Sequence, residues 1–227
     1  MRYDAVFIDV DGTLLWVSLD IEGYIEDLAP YSGNGGLTAK KVAGPVWRSL
    51  RRHIEENIRH RTEEDLAGFR RRNARMTAEE LGIEAPVEVL TEAARRRTSF
   101  NPYPESEEVL RRLREMGTRV FAVSNWDIEL EKLLDDLGWS GYFDGVIASA
   151  VVGVEKPEGG IFEEALRVGG LPRNRVVHVG NDPITDIEGA SEVGIDTVLV
   201  NRKGTAEAPV ATFVLSDLRG LPEIVEG

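Results

Sequence analysis

Asp9-Val10-Asp11-Gly12-Thr13 places two carboxylates two positions apart at the end of an apolar run that starts at Tyr3. Side chains alternate along an extended chain, so Asp9 and Asp11 fall on the same side for as long as the chain stays extended. One carboxylate could then attack an electrophile such as phosphorus while the other handles the leaving-group proton. Two carboxylates this close repel each other unless a cation stands between them. Asp-Gly between apolar residues is also a hairpin turn signal, so the segment has a purely structural reading as well.

Three further segments have the same double character. Ser124 and Asn125 close the apolar run Arg119 to Ser124 and offer a hydroxyl and backbone donors to a phosphate oxygen; helix capping by Ser124, Asn125 or Asp127 accounts for them too. Lys156 is held in a loop by the following Pro157, although an isolated lysine is ordinarily an exposed solubiliser. His178-Val179-Gly180-Asn181-Asp182-Pro183-Ile184-Thr185-Asp186 ends another apolar run. Asp182 and Asp186 there suit either a hard divalent cation or the positive N-terminus of a helix. His178 reads as a residue packed within its strand.

The elements that would position these residues alternate. Strand-like runs at Tyr3–Val10, 119–124, 145–149, 175–180, 196–200 and 211–215 are separated by helical patterns such as 105–116 and 128–137, the latter with Leu130, Leu133, Leu134 and Leu137 at helical spacing. Gly117 and Gly138 serve as their stops. Strands alternating with helices predict an α/β fold, a doubly wound parallel sheet of Rossmann-like form, and the four chemical segments then meet at the C-terminal ends of its strands, where such sheets bind ligands. Between Thr13 and about Phe100 the pattern becomes helical without strands: 20–29, 38–61, 63–81 and 86–97. Three glycines within Tyr31–Gly36 predict a loop there, Pro45 should kink or delay the long helix, and Asn101-Pro102-Tyr103-Pro104 should be an extended return. The expected organisation is a core of residues 1–14 and 101–227 with a helical cap of residues 15–100.

The chain of 227 residues has 27 Lys and Arg against 40 Asp and Glu, a net charge of -13, which argues against nucleic acid or anionic membrane as partner. No cysteine is present, which excludes thiol catalysis and cysteine-ligated metal sites, and three isolated histidines argue against an all-histidine metal site. No apolar run approaches the ~20 residues that cross a bilayer, and the first residues enter a strand without a signal-peptide pattern; a soluble, cytoplasmic protein is expected. Arginines cluster between Arg48 and Arg75 and again at Arg95, Arg96 and Arg97, as a solvated helix face or as a surface for an anionic substrate.

The order Asp-x-Asp-Gly-Thr (9–13), Ser-Asn (124–125), Lys-Pro (156–157) and Gly-Asn-Asp with a later Asp (180–186) resembles the four motifs of the haloacid dehalogenase superfamily, in the subgroup whose α-helical cap follows the first motif. The resemblance covers about residues 3–12 and 101–202. It implies a phosphatase acting on a small phosphorylated metabolite with Mg2+ as cofactor, monomeric or homodimeric. Asp9 would be the nucleophile and metal ligand, and Asp11 the general acid and base with its carbonyl toward the metal. Thr13, Ser124 and Asn125 would bind phosphate, and Lys156 would offset the charge around Asp9 and meet the phosphate. Asp182 would ligate the metal with Asp186 in support. Many relatives have aspartate where this chain has Asn181, which shifts the direct ligand to Asp182.

A dehalogenase would not need Asp11, because halide leaves without a proton. A phosphomutase would share every motif. A dinucleotide-binding protein would need a glycine-rich turn after the first strand, and a silent binding protein would have no need of Asp9, Asp11 and Lys156 together.

Overall fold

The computed structural model describes residues 1–33 and 36–227. It contains eight strands among those residues: β1 (Ala5–Ile8), β2 (Leu15–Leu19), β3 (Thr98–Pro102), β4 (Arg119–Ser124), β5 (Gly145–Ala148), β6 (Val176–Gly180), β7 (Asp196–Val200) and β8 (Phe213–Leu215). Six of them form one sheet in the order β5-β4-β1-β6-β7-β8, parallel throughout.

All four residues of β1, Ala-Val-Phe-Ile, are buried, as a central parallel strand covered on both faces requires. Ala5 and Phe7 join Phe121, Val123 and Ile147 of the neighbouring strands in a cluster with Ile161, Phe162, Ala165 and Leu166 of the helix Gly160–Gly169. The Phe7 and Phe121 rings meet edge-on at 5.6 Å. From β1 the chain proceeds to β4 and β5 on one side, then returns to β6 on the other and continues to β7 and β8. Connections therefore leave β1 and β6 in opposite directions, which opens a crevice at their C-terminal ends.

The chain divides into two compact units, Met1–Trp16 with Pro102–Gly227, and Val17–Asn101. The second unit is built from α1 (Ile21–Leu28), α2 (Ala39–Glu56), α3 (Glu63–Leu81) and α4 (Val87–Arg97) around Tyr24, Leu28, Val42, Ala74, Ala78, Leu90 and Ala93. The expected loop Tyr31–Gly36 includes residues 34 and 35, which lie outside the described residues. Pro45 neither starts nor ends a helix: α2 runs through it from Ala39 to Glu56. The expectation of helices alone in this stretch is corrected by β2 and β3, which form a two-stranded sheet. The alternation in Leu-Trp-Val-Ser-Leu, with Leu15 buried and Trp16 and Ser18 exposed, is the period-two signal that explains it.

Arginines from both clusters help hold this unit together. Arg52 donates to Asn73 Oδ1 (2.7 Å), Glu80 Oε1 (3.0 Å) and Thr77 Oγ1 (3.2 Å), tying α2 to α3. Arg97 forks onto Asp27 at 2.8 and 2.9 Å and reaches Asp20 at 2.9 Å. Thr62 caps α3 by accepting from Asp65 N–H at 3.2 Å. Thr62→Ala is expected to cost about 1 kcal/mol, to be read from the urea midpoint of unfolding; an unchanged midpoint would show that the cap is replaceable by water. Among the described residues, no helix is long and apolar enough to cross a membrane.

Candidate active site

Where β1 ends, the backbone stops being extended. The Val10 carbonyl accepts from the N–H groups of Thr13, Leu14 and Leu15 at 3.3, 2.9 and 3.1 Å, and Gly12 N–H donates to the Leu15 carbonyl at 2.7 Å. Gly12 has φ 81°, a region that favours glycine, and a Cβ there would stand 2.6 Å from the Asn181 amide. The turn interrupts the alternation that would have made Asp9 and Asp11 alike: Asp9 is buried and Asp11 exposed.

Asp9 N–H donates to the Val179 carbonyl at 2.9 Å, which carries the β1–β6 ladder one residue past β1. Its Oδ1 accepts from Ser124 Oγ at 2.9 Å and from Lys156 Nζ at 2.6 Å. Thr13 Oγ1 lies 3.2 Å from Asp9 Oδ2 and 3.1 Å from Asn181 Oδ1, two acceptors for one hydroxyl proton.

Lys156 is 3% exposed and bridges two acids, since its Nζ also donates to Asp186 Oδ1 at 2.6 Å. Asn125 sets its place: Asn125 Nδ2 donates to the Lys156 carbonyl at 2.9 Å, and Oδ1 accepts the Lys156 N–H at 2.7 Å. The peptide to Pro157 is cis. Behind it Gly189 comes so close that a Cβ would lie 2.7 Å from the Pro157 carbonyl oxygen.

Asp186 lies in a π-helical turn, Pro183–Glu188, that follows β6. Besides Lys156, its Oδ1 accepts from His178 Nε2 at 3.0 Å, and its Oδ2 from Asp182 N–H at 3.0 Å. His178 is fully buried, with its ring edge-on to Phe162 at 4.9 Å. Burial lowers its pKa against the pull of Asp186, which favours the neutral imidazole, and a proton on Nε2 is the tautomer that can donate to the Asp186 carboxylate. Gly180 makes room for this arrangement: a Cβ there would fall 2.1 Å from Asp186 Cγ. Gly180→Ala should therefore push the carboxylate away from Lys156 at a cost of about 1–3 kcal/mol; a urea midpoint equal to the parent's would refute that crowding.

The electrostatics are asymmetric. Burial pushes Asp9 up, and the Asp186 charge adds to it, against the pull of Lys156 and Ser124. Burial acts on Asp186 too, but Lys156 and the His178 hydrogen bond outweigh it and hold Asp186 well below the usual carboxylate range. Lys156 is depressed by burial and raised more strongly by Asp186 and Asp9, so it stays charged.

Asp9, Thr13, Ser124, Lys156 and Asp186 thus form one hydrogen-bonded group. Asn125, expected on phosphate, has its side chain committed to the Lys156 backbone. Asp182 is exposed, and its Oδ1 caps the π-helical turn by accepting from Ile184 and Thr185 N–H at 2.9 and 2.8 Å. Asp186, expected in support of a metal, gives both its oxygens to protein donors here and holds Lys156. Among the described residues, no three His, Asp or Glu side chains gather to hold a metal ion. The sequence reading missed Asn181 beside Gly12 and the second use of His178, whose signal was an imidazole eight residues before an acid at a strand end.

Residues 3–194 match the model of a family described as haloacid dehalogenase-like hydrolase. Among curated proteins, haloacid dehalogenase-like hydrolase domain-containing protein 3 of Xenopus laevis is 37% identical over 44% of this chain and 41% of its own length. Glyceraldehyde 3-phosphate phosphatase of Methanothermobacter thermautotrophicus is 36% identical over 56% of this chain and 59% of its own. The chain thus spans about half the length of these curated relatives. A crystal structure of 2-haloacid dehalogenase from Pseudomonas syringae pv. Tomato superposes with a TM-score of 0.69 at 22% identity, over 99% of this chain and 98% of that one, a likeness of fold.

Proposed function

Because the chain belongs to the haloacid dehalogenase-like hydrolases, we propose that it is a magnesium-dependent phosphatase that cleaves a small phosphate monoester through an aspartyl-phosphate on Asp9. The observation that carries this reading is the Asp9 carboxylate itself, buried, with Oδ1 held by Ser124 and Lys156 and Oδ2 meeting, among the described residues, only the shared Thr13 proton. Oδ2 is then the oxygen to attack phosphorus, with Asp9 oriented in advance.

Lys156 would balance charge on the phosphoryl oxygens as they approach Asp9. Ser124 Oγ and the backbone donors that follow it would hold one of those oxygens. Asp11, exposed on the turn beside the nucleophile, would donate a proton to the leaving alkoxide and then take one from the water that hydrolyses the aspartyl-phosphate.

The donor set suits a hard cation. Asp9 and Asp186 outnumber Lys156, so the buried group has one negative charge in excess, and magnesium is commonly held by only one or two carboxylates with water and phosphate oxygens. Asp9, the Asp11 carbonyl and Asp182 would hold it, and when bound it supplies positive charge against the phosphoryl group. Residues 15–100 would serve as the cap. The phosphatase relative makes glyceraldehyde 3-phosphate the first member of a substrate panel.

The 26% identity to (S)-2-haloacid dehalogenase H-109 of Pseudomonas putida, over 97% of this chain and 96% of its own length, supports a second reading, in which Asp9 displaces halide from a 2-haloacid with no call on Asp11. Purified protein is to be assayed on an aryl phosphate and the phosphate panel with magnesium and with chelator, and separately for halide release from 2-chloropropionate. Phosphate release that stops with chelator and fails in Asp11→Asn supports the phosphatase. Halide release indifferent to both would replace it with the dehalogenase.

A further inference from the structure

Arg202 stands just beyond β7, at the same sheet edge as the site, and has no part in the chemistry described above. Its guanidinium donates to Glu105 Oε1 at 2.6 Å and to the Thr13 carbonyl at 2.8 Å. Its plane lies over the Tyr103 ring, 3.5 Å from the centroid, and Tyr103 in turn packs on Trp16 at 5.0 Å. Glu105 is 7% exposed; burial works to raise it, but the Arg202 hydrogen bond and charge, with hydrogen bonds from backbone N–H groups, together keep it below the usual range.

The neighbouring carbonyl is secured from the same side. Leu14 O accepts from Tyr103 N–H at 3.0 Å and from Ser106 Oγ at 2.6 Å. The turn after Asp9 consumes the Val10 carbonyl internally, so the next peptide groups need partners from elsewhere, and Arg202 and residues 103–106 supply them.

The Arg202–Glu105 pair is largely shielded, with side chains 18% and 6% exposed, and such a pair is an expensive way to gain stability, since apolar replacements of buried ion pairs are often neutral or better. What the fork does here that an apolar side chain could not is hold the carbonyl of the residue whose hydroxyl meets Asp9 Oδ2. We propose that Arg202 is a positioning residue for the Asp9 nucleophile: through Glu105, Tyr103 and the Thr13 carbonyl it fixes the peptide that aims the Thr13 hydroxyl, and so sets the orientation of the Asp9 carboxylate. The kinetic part of its test rests on the phosphatase reading.

The experiment compares the parent, Arg202→Met, Thr13→Val and the double variant for kcat and KM on the aryl phosphate with magnesium, alongside urea unfolding and a crystal structure of Arg202→Met. A misplacement of about 1 Å can cost about 100-fold in rate, so Arg202→Met should lose roughly 10- to 100-fold in kcat with KM within about twofold. The double variant should be little worse than Arg202→Met alone, because residues acting through one contact are not additive. In the Arg202→Met crystal the Thr13 side chain should leave Asp9 Oδ2. Multiplicative losses, or a fall in unfolding midpoint with kcat intact, would overturn the proposal. If the parent hydrolyses no phosphate ester, the phosphatase reading fails, and the crystal then decides about Arg202: Thr13 and Asp9 in their parent positions would reject it.

Discussion

Asp9→Asn will remove turnover by about four orders of magnitude or more, since an amide cannot serve as the nucleophile, and will leave the protein at least as stable as the parent. The second half follows from the environment of Asp9. Burial raises its pKa in the fold, so at neutral pH the ionised carboxylate is less at ease there than in the unfolded chain, and a neutral isostere relieves that cost. Lys156 is not stranded by the change, because Asp186 Oδ1 remains 2.6 Å away. A gain on the order of 1 kcal/mol in unfolding free energy, beside lost activity, is the signature of a group kept for function at the expense of the fold. Turnover within tenfold of the parent would refute the nucleophile, and a large loss of stability would refute the electrostatic account.

Lys156→Met should have the opposite profile and destabilise strongly, by about 3–5 kcal/mol, because removing one partner of a buried ionic group leaves uncompensated charge. Here two acids lose their common cation at once: Asp9 and Asp186 both reach Lys156 at 2.6 Å, and all three side chains are almost entirely shielded from water. Adding Asp186→Asn to Lys156→Met should recover much of the loss, a non-additivity that identifies repulsion between acids rather than the cavity left by the lysine head. Urea titrations of the single and double variants measure it. A Lys156→Met protein that unfolds where the parent does would mean the acids take up protons with little cost, and the charged triad would have to be abandoned.

Of these two residues, the placement of Asp9 was the more legible from sequence. Asp9 comes directly after the apolar run of β1, and parallel pairing of the strands brings the ends of such runs to one edge; Lys156 is further from β5, beyond the short helix Ser149–Val152. Ser124, the last residue of β4, and Asp186 shortly after β6 were legible on the same ground. What escaped notice depended on distances the chain order hides. Glu105 and Arg202 look like ordinary surface charges, and they meet across 97 residues. His178 reads as core, which it is, but its bond to Asp186 exists only because Gly180 has no side chain to stand between them. Asn125 has the chemistry to hold a phosphate oxygen; only the close approach of the Lys156 backbone shows that both its polar atoms are already employed. The short strands β2 and β3 were hidden by the helical patterns on either side, although Leu-Trp-Val-Ser-Leu has the alternation of a strand.

The place of β1 in the sheet has a consequence for how the molecule is made. Ala5–Ile8 leaves the ribosome well before the strands it pairs with, which begin at Arg119 and Val176. Through the synthesis of the intervening residues this apolar segment has no native strand to pair with, and loop closure over such spans is slow. The helical stretch 17–101 is complete, with its own core of Leu28, Val42 and Leu90, before the sheet has its second central strand. Recovery of activity after dilution from denaturant should therefore lag behind the return of helical circular dichroism, making the enzyme's own turnover a late reporter of sheet closure.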